Sequence, residues 1–518
     1  MDPTPVATAK KAVNRAKSAL EKRHGPVSKD QSRSPFADAM ARYWDEDILS
    51  FSIPAHGGGR GPQPEFTKWA GGDCARADLP TSHGLDTRDR SYQVQTTAQE
   101  LFAEATGAEQ VMFSTNGSSL SAHVAVMSVA GPDETILIAR NGHKSAFAGL
   151  ILSGARPVYI EPYYDEQLEL AHGVLAADVA AALDRHPEAK AVMIFTPSYY
   201  GTSADVAAIA DACHQRDVPL VTDDAWGLDY AVSGHPDLPK GALAQGSDLA
   251  IGSVHKTLTG LSQTSVLSLG SERVDPVRLQ LCFELEESTS ASALLLSSID
   301  GARAQFVREG EELLSRALSS AQLLRDRLRT EVPELRVVEL ELLRQTPGVA
   351  GVDPTHVLIE TASIGMSGYS ALDWLRFERH IDVELVDHRR IMPLISFAHG
   401  EAEIDRLVRA LRDLVDAHPD EDGSEIPSYP SVTRIRSDSP LTPREAFFAP
   451  SEMVRFKDAV GRVSAELVTP YPPGIPAVAP GELYTDENVS YLESFVEAGG
   501  FVEGAADPTL QKLRVVNR

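Results

Sequence analysis

The residue with the clearest chemical potential in this chain is Lys256, which follows the apolar run Leu249–Ile251, a pattern that predicts a buried strand. Ammonium groups are rarely buried without a partner, so an ordinary lysine at this point would lie on the surface. A pocket would instead desolvate the amine, lower its pKa and make it nucleophilic toward carbonyl groups. Both interpretations are open from these residues alone.

Three further polar stretches stand where predicted strands end: Ser114–Ser119, Arg140–Ser145 and Thr222–Trp226. The first is a serine-rich turn that could hold a phosphate. The other two supply an imidazole, a carboxylate and an aromatic ring. With the lysine, these are the groups that a pyridoxal 5′-phosphate (PLP) site requires. The serines at the start of a helix would attract a phosphate through free amides and the helix dipole, but serines that only cap the helix use the same physics.

The composition of the 518-residue chain is that of a globular protein, with 42% hydrophobic and 24% charged residues. No run of eighteen apolar residues occurs, so no transmembrane helix is predicted, and residues 1–23 lack the apolar core of a signal peptide. We therefore expect a cytoplasmic protein without a membrane partner. The spacing of Cys74, Cys213 and Cys282 fits neither a disulfide framework nor a zinc site, so no metal is expected.

The formal net charge of −26 argues against nucleic acid as a partner, because its phosphates would be repelled. The same charge would favour the approach of a cationic small molecule. Solubility alone is an equally good explanation of the acidity, so the charge supports a basic substrate only weakly.

Strand and helix patterns alternate through the first 300 residues. Strands are predicted near residues 110–113, 135–138, 157–160, 191–195, 219–222 and 249–251, and helices near 96–106, 119–129, 145–152 and 204–215. Such alternation predicts crossover units and a mainly parallel sheet, whose ligands bind beyond the carboxyl ends of the strands. The polar motifs follow these strand ends.

These motifs resemble those of the bacterial ornithine/lysine/arginine decarboxylases, which are fold type I PLP enzymes. The resemblance is carried by Ser253-Val254-His255-Lys256, Asn141-Gly142-His143-Lys144-Ser145, residues 149–159, residues 441–448 and residues 471–476. It runs from about residue 45 to the end of the chain. Several motifs in one order are far more specific than any one of them.

The resemblance implies an α/β fold of the aspartate-aminotransferase type from about residue 46 onward. Residues 1–45 precede it, and the helix-forming residues near 7–21 predict an N-terminal helical segment there. Residues 46–300 would form the PLP-binding large domain with a mainly parallel sheet. Residues 301–425 would form a small αβ domain with helices at 302–329 and 401–417, strands at 337–343, 356–360 and 383–385, and an acidic linker at 418–425. Residues 426–518 would form the C-terminal α+β decarboxylase domain.

The resemblance also implies roles for individual residues. Lys256 would bind PLP covalently, Asp223 would pair with its pyridine nitrogen, and His143 and Ala225 would lie against its two ring faces. Ser118, Ser119 and Ser253 would bind its phosphate, and His255 would either contact the phosphate or transfer protons.

The implied reaction is decarboxylation of a basic L-amino acid, most simply arginine, with lysine and ornithine as alternatives. A carboxylate must then meet the distal cation of the substrate, and Glu482 is one candidate, with a solvent-facing position as the equally good alternative; Trp226 is a second expected substrate contact. The family's N-terminal wing domain, which builds large oligomers, does not fit ahead of this core. A homodimer or homotetramer with the active site at the subunit interface is therefore expected.

Two segments depart from the family. The glycine-rich segment Ile53–Gly61, interpreted as a substrate-entry loop or a plain turn, keeps the family's histidine as His56 but lacks the following lysine, and Ser288–Ala293 lacks the family's proline and tyrosine. A different PLP reaction, such as oxidative deamination, transamination or elimination, is therefore the main alternative. A non-catalytic homologue is the third hypothesis, against which Lys256, Asp223 and His143 together argue.

Overall fold

The structure is a computed structural model that describes residues 30–45, 49, 51, 53–61, 64–79, 93–418, 435, 437–471 and 474–517. The helix predicted over 7–21 and nearly all of the predicted acidic linker lie outside the described residues. No described helix is both long and apolar enough to cross a membrane.

The helices are α1 (Pro35–Asp45), α2 (Pro64–Ala70), α3 (Gly72–Ala77), α4 (Gln93–Thr106), α5 (Gly117–Val129), α6 (Lys144–Ser153), α7 (Ala176–Arg185), α8 (Val206–His214), α9 (Leu228–Ser233), α10 (Val254–Thr257), α11 (Pro276–Glu286), α12 (Ala293–Glu331), α13 (Leu340–Arg344), α14 (Gly368–Arg379), α15 (Glu401–Ala417), α16 (Pro443–Phe448) and α17 (Asp486–Glu497). Short 3₁₀ turns occur at Leu243–Gln245, Thr361–Ile364 and Phe456–Ala459.

The strands are β1 (Gln110–Ser114), β2 (Thr135–Ala139), β3 (Arg156–Ile160), β4 (Tyr164–Asp165), β5 (Leu170–Ala171), β6 (Val192–Phe195), β7 (Thr202–Ser203), β8 (Leu220–Asp223), β9 (Leu249–Ser253), β10 (Ser265–Leu269), β11 (Arg336–Val337), β12 (Gly351–Val352), β13 (Ile359–Glu360), β14 (Leu385–Val386), β15 (Arg390–Met392), β16 (Ser451–Arg455), β17 (Thr469–Tyr471), β18 (Phe501–Glu503) and β19 (Lys512–Val516).

The main sheet has seven strands within the described residues, in the order β1-β10-β9-β8-β6-β2-β3. Strands β9, β8, β6, β2 and β3 pair in parallel, whereas β10 is antiparallel to both β1 and β9. The expectation of a mainly parallel sheet is therefore confirmed. Strand β10 was missed because it is a short Ser-Val-Leu-Ser-Leu segment that directly follows the polar turn after Lys256.

Helices α5 and α6 follow β1 and β2 and pack against each other. Both are apolar on most sides, and most of their residues are buried, as is typical of helices in the centre of a large domain. Each begins just beyond the carboxyl end of its strand. The fold therefore brings the N-termini of these helices, and the motifs at 114–119 and 140–145, to one edge of the sheet.

The 39-residue helix α12 connects two hydrophobic clusters. Its first half packs with α1 and α4 through side chains such as Leu296 and Phe306. Its second half packs Leu324 and Leu328 into the cluster that contains α15. A long helix shared by two cores fixes the orientation of the second core relative to the main sheet.

The second core contains a four-stranded antiparallel sheet in the order β11-β13-β15-β14 within the described chain. Helix α15 spans the residues predicted for it. The strand predicted over 337–343 was wrong for most of its length, because β11 ends at Val337 and α13 follows. The run Leu340-Glu341-Leu342-Leu343-Arg344 consists of strong helix formers, which outweighed the apolar character of the segment.

The C-terminal residues form two small antiparallel sheets, β16 with β19 and β17 with β18. They pack with α17 around a hydrophobic cluster that includes Val468, Leu492 and Leu513. Strand β17 ends at Tyr471, which places this region beside the carboxyl edge of the main sheet.

Candidate active site

The strand-end motifs converge on one cavity of about 380 Å³. Its lining residues are Asn116, Gly117, Ser118, Ser119, Asn141, His143, Ser145, Phe195, Pro197, Ser198, Tyr199, Asp223, Ala225, Trp226, Ser253, His255, Lys256, Gln263 and Tyr471. The structure thus brings together every residue predicted for the site except Glu482. They come from the ends of β1, β6, β8 and β9 and from the start of α6, as the rule for parallel sheets predicts.

Lys256 lies in α10, a single helical turn that leaves the end of β9. Its Nζ lies 4.3 Å from the centroid of the Trp226 ring, so the ammonium group faces an aromatic surface rather than water. Burial lowers the pKa of Lys256, and the negative charges of Asp223 and Glu384 oppose this shift without cancelling it. The amine is therefore closer to its neutral, nucleophilic form than a surface lysine is.

Asp223 is the last residue of β8 and is buried. Its Oδ1 accepts a hydrogen bond from the Ala225 N–H at 3.2 Å. Burial raises the pKa of Asp223, while the charge of Lys256 and this hydrogen bond partly offset the shift. A buried carboxylate of this kind is stabilised by any further cation that enters the cavity, such as a protonated ring nitrogen.

The N-terminus of α5 opens into the cavity beside Ser118 and Ser119. The preceding Asn116 makes no side-chain capping bond to the helix, and the helix dipole adds partial positive charge there. Ser118 Oγ forms a short hydrogen bond with Ser253 Oγ, so hydroxyls from two separate strand ends meet at the same place. Amides and hydroxyls arranged in this way suit a phosphate group.

His143 caps α6 and is fixed on both ring edges. Its Nδ1 lies 2.8 Å from Ser145 Oγ and accepts the Ser145 N–H at 3.3 Å. A Cβ on Gly474 would lie 3.2 Å from His143 Cδ2, so the C-terminal region packs its backbone directly against the imidazole. Burial, with smaller contributions from Lys256 and Lys144, lowers the pKa of His143 to about 3. The ring is therefore neutral near pH 7 and can lie against a flat aromatic ligand without desolvating a charge.

His255 is fixed on the other side of the lysine by a hydrogen bond from Nδ1 to the Thr264 carbonyl at 2.9 Å. Burial lowers the pKa of His255, and neighbouring Lys256 acts in the same direction. A donating Nδ1 leaves Nε2 as an acceptor or proton-carrying group.

Two buried polar atoms of cavity-lining residues, Asn141 Oδ1 and Trp226 Nε1, have no hydrogen-bond partner in the described part of the chain. Buried polar groups are normally paired, so one acceptor and one donor here fit a polar ligand. The same cavity also contains the phosphate cradle, the Asp223 carboxylate, the Lys256 amine and the neutral His143 imidazole. These residues fit PLP, which has a phosphate, a ring nitrogen, a phenolic oxygen and an aldehyde.

Glu482 is not part of this cavity, so the prediction that it binds the substrate is corrected. Its carboxylate is buried, where it pairs with the Arg140 guanidinium at 3.2 Å and accepts the Ala479 N–H at 2.7 Å. Arg140 also donates to the Pro476 carbonyl at 2.7 Å. The pair ties the end of β2 to the C-terminal residues and lies outside the cavity that contains Lys256.

Sequence reasoning missed Glu384, Tyr199 and Tyr471. Glu384 directly precedes β14, has an exposed side chain, and interacts electrostatically with Lys256, His356 and Tyr471. Tyr199 and Tyr471 line the cavity, and burial raises the pKa of each hydroxyl. The sequence signal for these residues was weak, because none of the three ends a strand of the main sheet. Only Tyr471 lies in a segment that resembles the family.

The two departing segments lie apart from the cavity lining within the described chain. In the glycine-rich segment, His56 Nε2 is 3.2 Å from Asp78 Oδ2. The segment Ser288–Ala293 leads into α12, and Ser292 Oγ lies 3.5 Å from the same Asp78 carboxylate. The two segments therefore meet at Asp78, and their role at substrate entry stays a prediction.

The family model described as the major domain of Orn/Lys/Arg decarboxylase matches residues 34–403, and the model of the C-terminal domain of that family matches residues 438–504. Arginine decarboxylase from Halalkalibacterium halodurans is 37% identical over 486 residues, which cover 94% of this chain and 98% of the relative. Arginine decarboxylase from Bacillus subtilis is 35% identical over 492 residues, with 94% and 98% coverage.

Solved structures show the same fold. Lysine decarboxylase from Francisella novicida aligns with a TM-score of 0.79 at 19% sequence identity, over 94% of this chain and 82% of that one. Lysine decarboxylase A from Pseudomonas aeruginosa aligns with a TM-score of 0.77 at 21% identity, over 100% and 83%. The expected fold type I architecture is confirmed, and with two family models and these close relatives the chain belongs to the Orn/Lys/Arg decarboxylase family.

Proposed function

We propose that the protein is a PLP-dependent decarboxylase that converts L-arginine to its amine and CO2. The observation that carries the proposal is the half-buried Lys256 amine, which shares one cavity with the Asp223 carboxylate, the His143 imidazole and the serine-lined start of α5. Arginine is favoured over lysine and ornithine because two arginine decarboxylases match nearly the whole chain at 35–37% identity. We place the reaction in the cytoplasm, where such amino acids are available.

PLP, when bound, supplies the electron sink that allows the bond between Cα and the substrate carboxylate to break. Lys256 would hold it covalently, and the lowered pKa of this amine favours the nucleophilic form that attachment requires. Ser118, Ser119 and Ser253 would hold its phosphate. Asp223 would keep a proton on the ring nitrogen, since its buried carboxylate favours a cation beside it.

The remaining residues control orientation and water. His143 and Ala225 would cover the two ring faces, and the small Ala225 side chain leaves room for the ring. Trp226 shields the lysine amine from water on one side. When Lys256 Nζ is not attached to the cofactor it could hold a proton at the site, and His255 Nε2 is a second group that could hold that proton.

We further propose that Glu384, in place of Glu482, receives the distal cation of the substrate. Glu384 does not itself line the cavity, but its charge acts on Lys256 and on the cavity-lining Tyr471, so its exposed carboxylate is near enough to meet a substrate that extends beyond the cavity. A guanidinium group forms two parallel hydrogen bonds with a carboxylate, which favours a long, forked cation over a short ammonium.

Changing Glu384 to glutamine should raise KM for arginine by about 10- to 100-fold and leave kcat within about threefold, because a charge-assisted hydrogen bond contributes about 1.5–3 kcal/mol. Steady-state kinetics of CO2 release would measure both constants. Glu378→Gln removes an exposed carboxylate from α14 and is the matched control. An unchanged KM in Glu384→Gln, or a loss confined to kcat, would remove Glu384 from this role.

The reaction itself is tested by incubating the purified protein with PLP and L-arginine, L-lysine or L-ornithine, followed by mass spectrometry. Agmatine with equimolar CO2 supports the proposal, whereas cadaverine or putrescine would reassign the substrate. A keto acid or an oxygen-dependent product would keep the PLP site and replace decarboxylation by another reaction. Failure of all three substrates with PLP bound would refute action on these amino acids.

We also propose that the active protein is a homodimer whose subunits meet beside the phosphate cradle. Helix α11 packs on α5, and its outer face carries Val277, Leu281 and Leu285, which are 43%, 58% and 79% exposed. A spacing of four residues puts them on one side of the helix. The adjoining Glu287 accepts a hydrogen bond from Thr115 next to the cradle, so a second copy seated on α11 would lie at the active site.

The double change Leu281→Glu and Leu285→Glu should convert the dimer to monomers, because two carboxylates would be desolvated in an apolar interface. Analytical ultracentrifugation at micromolar concentration would measure the mass. Phe377→Glu alters a residue that is 71% exposed on α14 and should leave the mass unchanged. A wild-type monomer, or a variant that keeps the wild-type mass, would refute this interface.

A further inference from the structure

The ring of Trp226, which faces the Lys256 amine, is itself held by a buried histidine. His356 is buried, and its ring centroid lies 5.8 Å from that of Trp226 with an interplanar angle of 73°, an edge-to-face contact. The chain of contacts therefore runs from His356 through Trp226 to Lys256 Nζ. His356 does not line the cavity, and no motif in the sequence singled it out.

The imidazole is fixed from several directions. Its Nδ1 lies 3.4 Å from Asp353 Oδ2. Gly201 has a φ of +77°, and a Cβ at this position would come within 2.7 Å of His356 Cγ, so a backbone without a side chain lies against the ring. Buried Arg325 donates to the His356 carbonyl at 3.0 Å and to the Pro354 carbonyl at 2.6 Å. The loop can hardly move without breaking these buried bonds.

Asp353 sets the direction of the ring. Its carboxylate accepts hydrogen bonds from Tyr230 Oη at 2.9 Å and from the Thr355 N–H and Oγ1 at 2.8 and 2.7 Å. Burial raises the pKa of Asp353, but the hydrogen bonds from His356 and Thr355 more than offset this and leave the pKa lowered. A charged Asp353 keeps a proton on His356 Nδ1 and so fixes the ring orientation.

We propose that His356, oriented by Asp353, is a positioning residue that holds the Trp226 ring against Lys256 and thereby tunes the protonation of the lysine amine. The inference rests on the proposed function of Lys256. An aromatic face stabilises an ammonium ion only while the ring is aligned with it. A ring released by loss of His356 would stabilise the ammonium form less, so the amine would lose its proton at lower pH.

Two variants separate the two contacts of His356, the ring contact with Trp226 and the hydrogen bond to Asp353. His356→Phe keeps an aromatic ring beside Trp226 but loses the bond to Asp353, and His356→Asn keeps a donor for Asp353 but loses the ring. Lys256 also faces Asp223, Glu384, His143 and His255, none of which is altered in these variants. Thermal unfolding of each variant establishes that it is folded before comparison.

The main readout is the pH midpoint of the visible absorbance of the PLP-loaded protein, which reports the protonation of the same Lys256 nitrogen once it is joined to the cofactor and does not depend on turnover. Both variants should move the midpoint to lower pH by about 0.5 unit, since a cation–π contact of about 0.5–1 kcal/mol corresponds to roughly half a pKa unit. In a Trp226→Leu background the same changes should have no further effect, because His356 acts through Trp226.

Cofactor-free protein provides a second readout. The tryptophan emission of His356→Asn should shift to longer wavelength relative to the parent protein, and the shift should vanish in Trp226→Leu. An unmoved midpoint in both folded variants, or a shift of undiminished size in Trp226→Leu, would overturn the proposal. A parent protein that binds no PLP would refute the proposed function, while the emission spectra would still decide whether His356 positions Trp226.

Discussion

Substitution of Lys256 by alanine is expected to reduce decarboxylation by at least about 10⁴-fold, because no other group at the site can hold the cofactor covalently and exchange it for substrate. The side chain is also one of two groups placed to carry a proton near Cα. Among the described residues that line the cavity, Lys256 is the only lysine.

The measurement is the visible spectrum with PLP, together with mass spectrometry after borohydride reduction. The parent protein should gain the mass of the reduced cofactor on the peptide that contains Lys256, and the alanine variant should gain none. Lys190→Ala is the matched control, because Lys190 is exposed and pairs with Glu134 at the opposite edge of the sheet. Undiminished turnover in Lys256→Ala, or covalent labelling elsewhere, would refute the assigned role.

Much of this site follows from the sequence because of how parallel sheets are built. Asp223 and Lys256 end or follow buried strands, and the carboxyl ends of parallel strands meet at one edge. Local patterns therefore predicted the placement of both residues before any contact was known. The identity of the ligand required more, since the same serines and histidine could have been ordinary helix caps.

The residue that was wrongly placed in the site, and those that were overlooked, depend on contacts between distant parts of the chain. Arg140 and Glu482 are 342 positions apart, and nothing near Glu482 indicates that a buried guanidinium lies beside it. Glu384 comes within electrostatic range of Lys256 only because α12 and the second core fold back toward the main sheet. His356 was hidden for the same reason, since its significance comes from the ring of Trp226 and the carboxylate of Asp353.

Asp223→Asn should lower kcat by about 10²- to 10³-fold while the protein still binds PLP, because the amide cannot keep a proton on the ring nitrogen as a buried carboxylate does. The ring would then be neutral and a weaker acceptor of electrons from the breaking bond. The variant should also bind PLP more weakly, because the Asp223 carboxylate no longer stabilises a cation in the cavity.

The neighbouring residue provides an unusually close control. Asp224 is buried but does not line the cavity, and one of its oxygens accepts the Ala242 N–H at 3.3 Å. Burial raises the pKa of Asp224 well above its usual value, so the neutral form, which asparagine imitates, is favoured more than in an exposed aspartate. Asp224→Asn should therefore retain most of the activity, and equal losses in both variants would point to folding instead of ring protonation.

The pH dependence adds an independent test of the same carboxylate. Because burial raises the pKa of Asp223, the cofactor-free protein loses this negative charge at a higher pH than an exposed aspartate would. PLP binding should therefore weaken as the pH falls through that raised pKa, and in Asp223→Asn the affinity should fall less steeply over this acidic range, with only the lysine nitrogen and the PLP phosphate still titrating. Fluorescence titration with PLP at a series of pH values measures both curves. Parallel curves for the parent and the variant would show that another group is responsible, and Asp223 would then lose its assigned contact with the ring nitrogen.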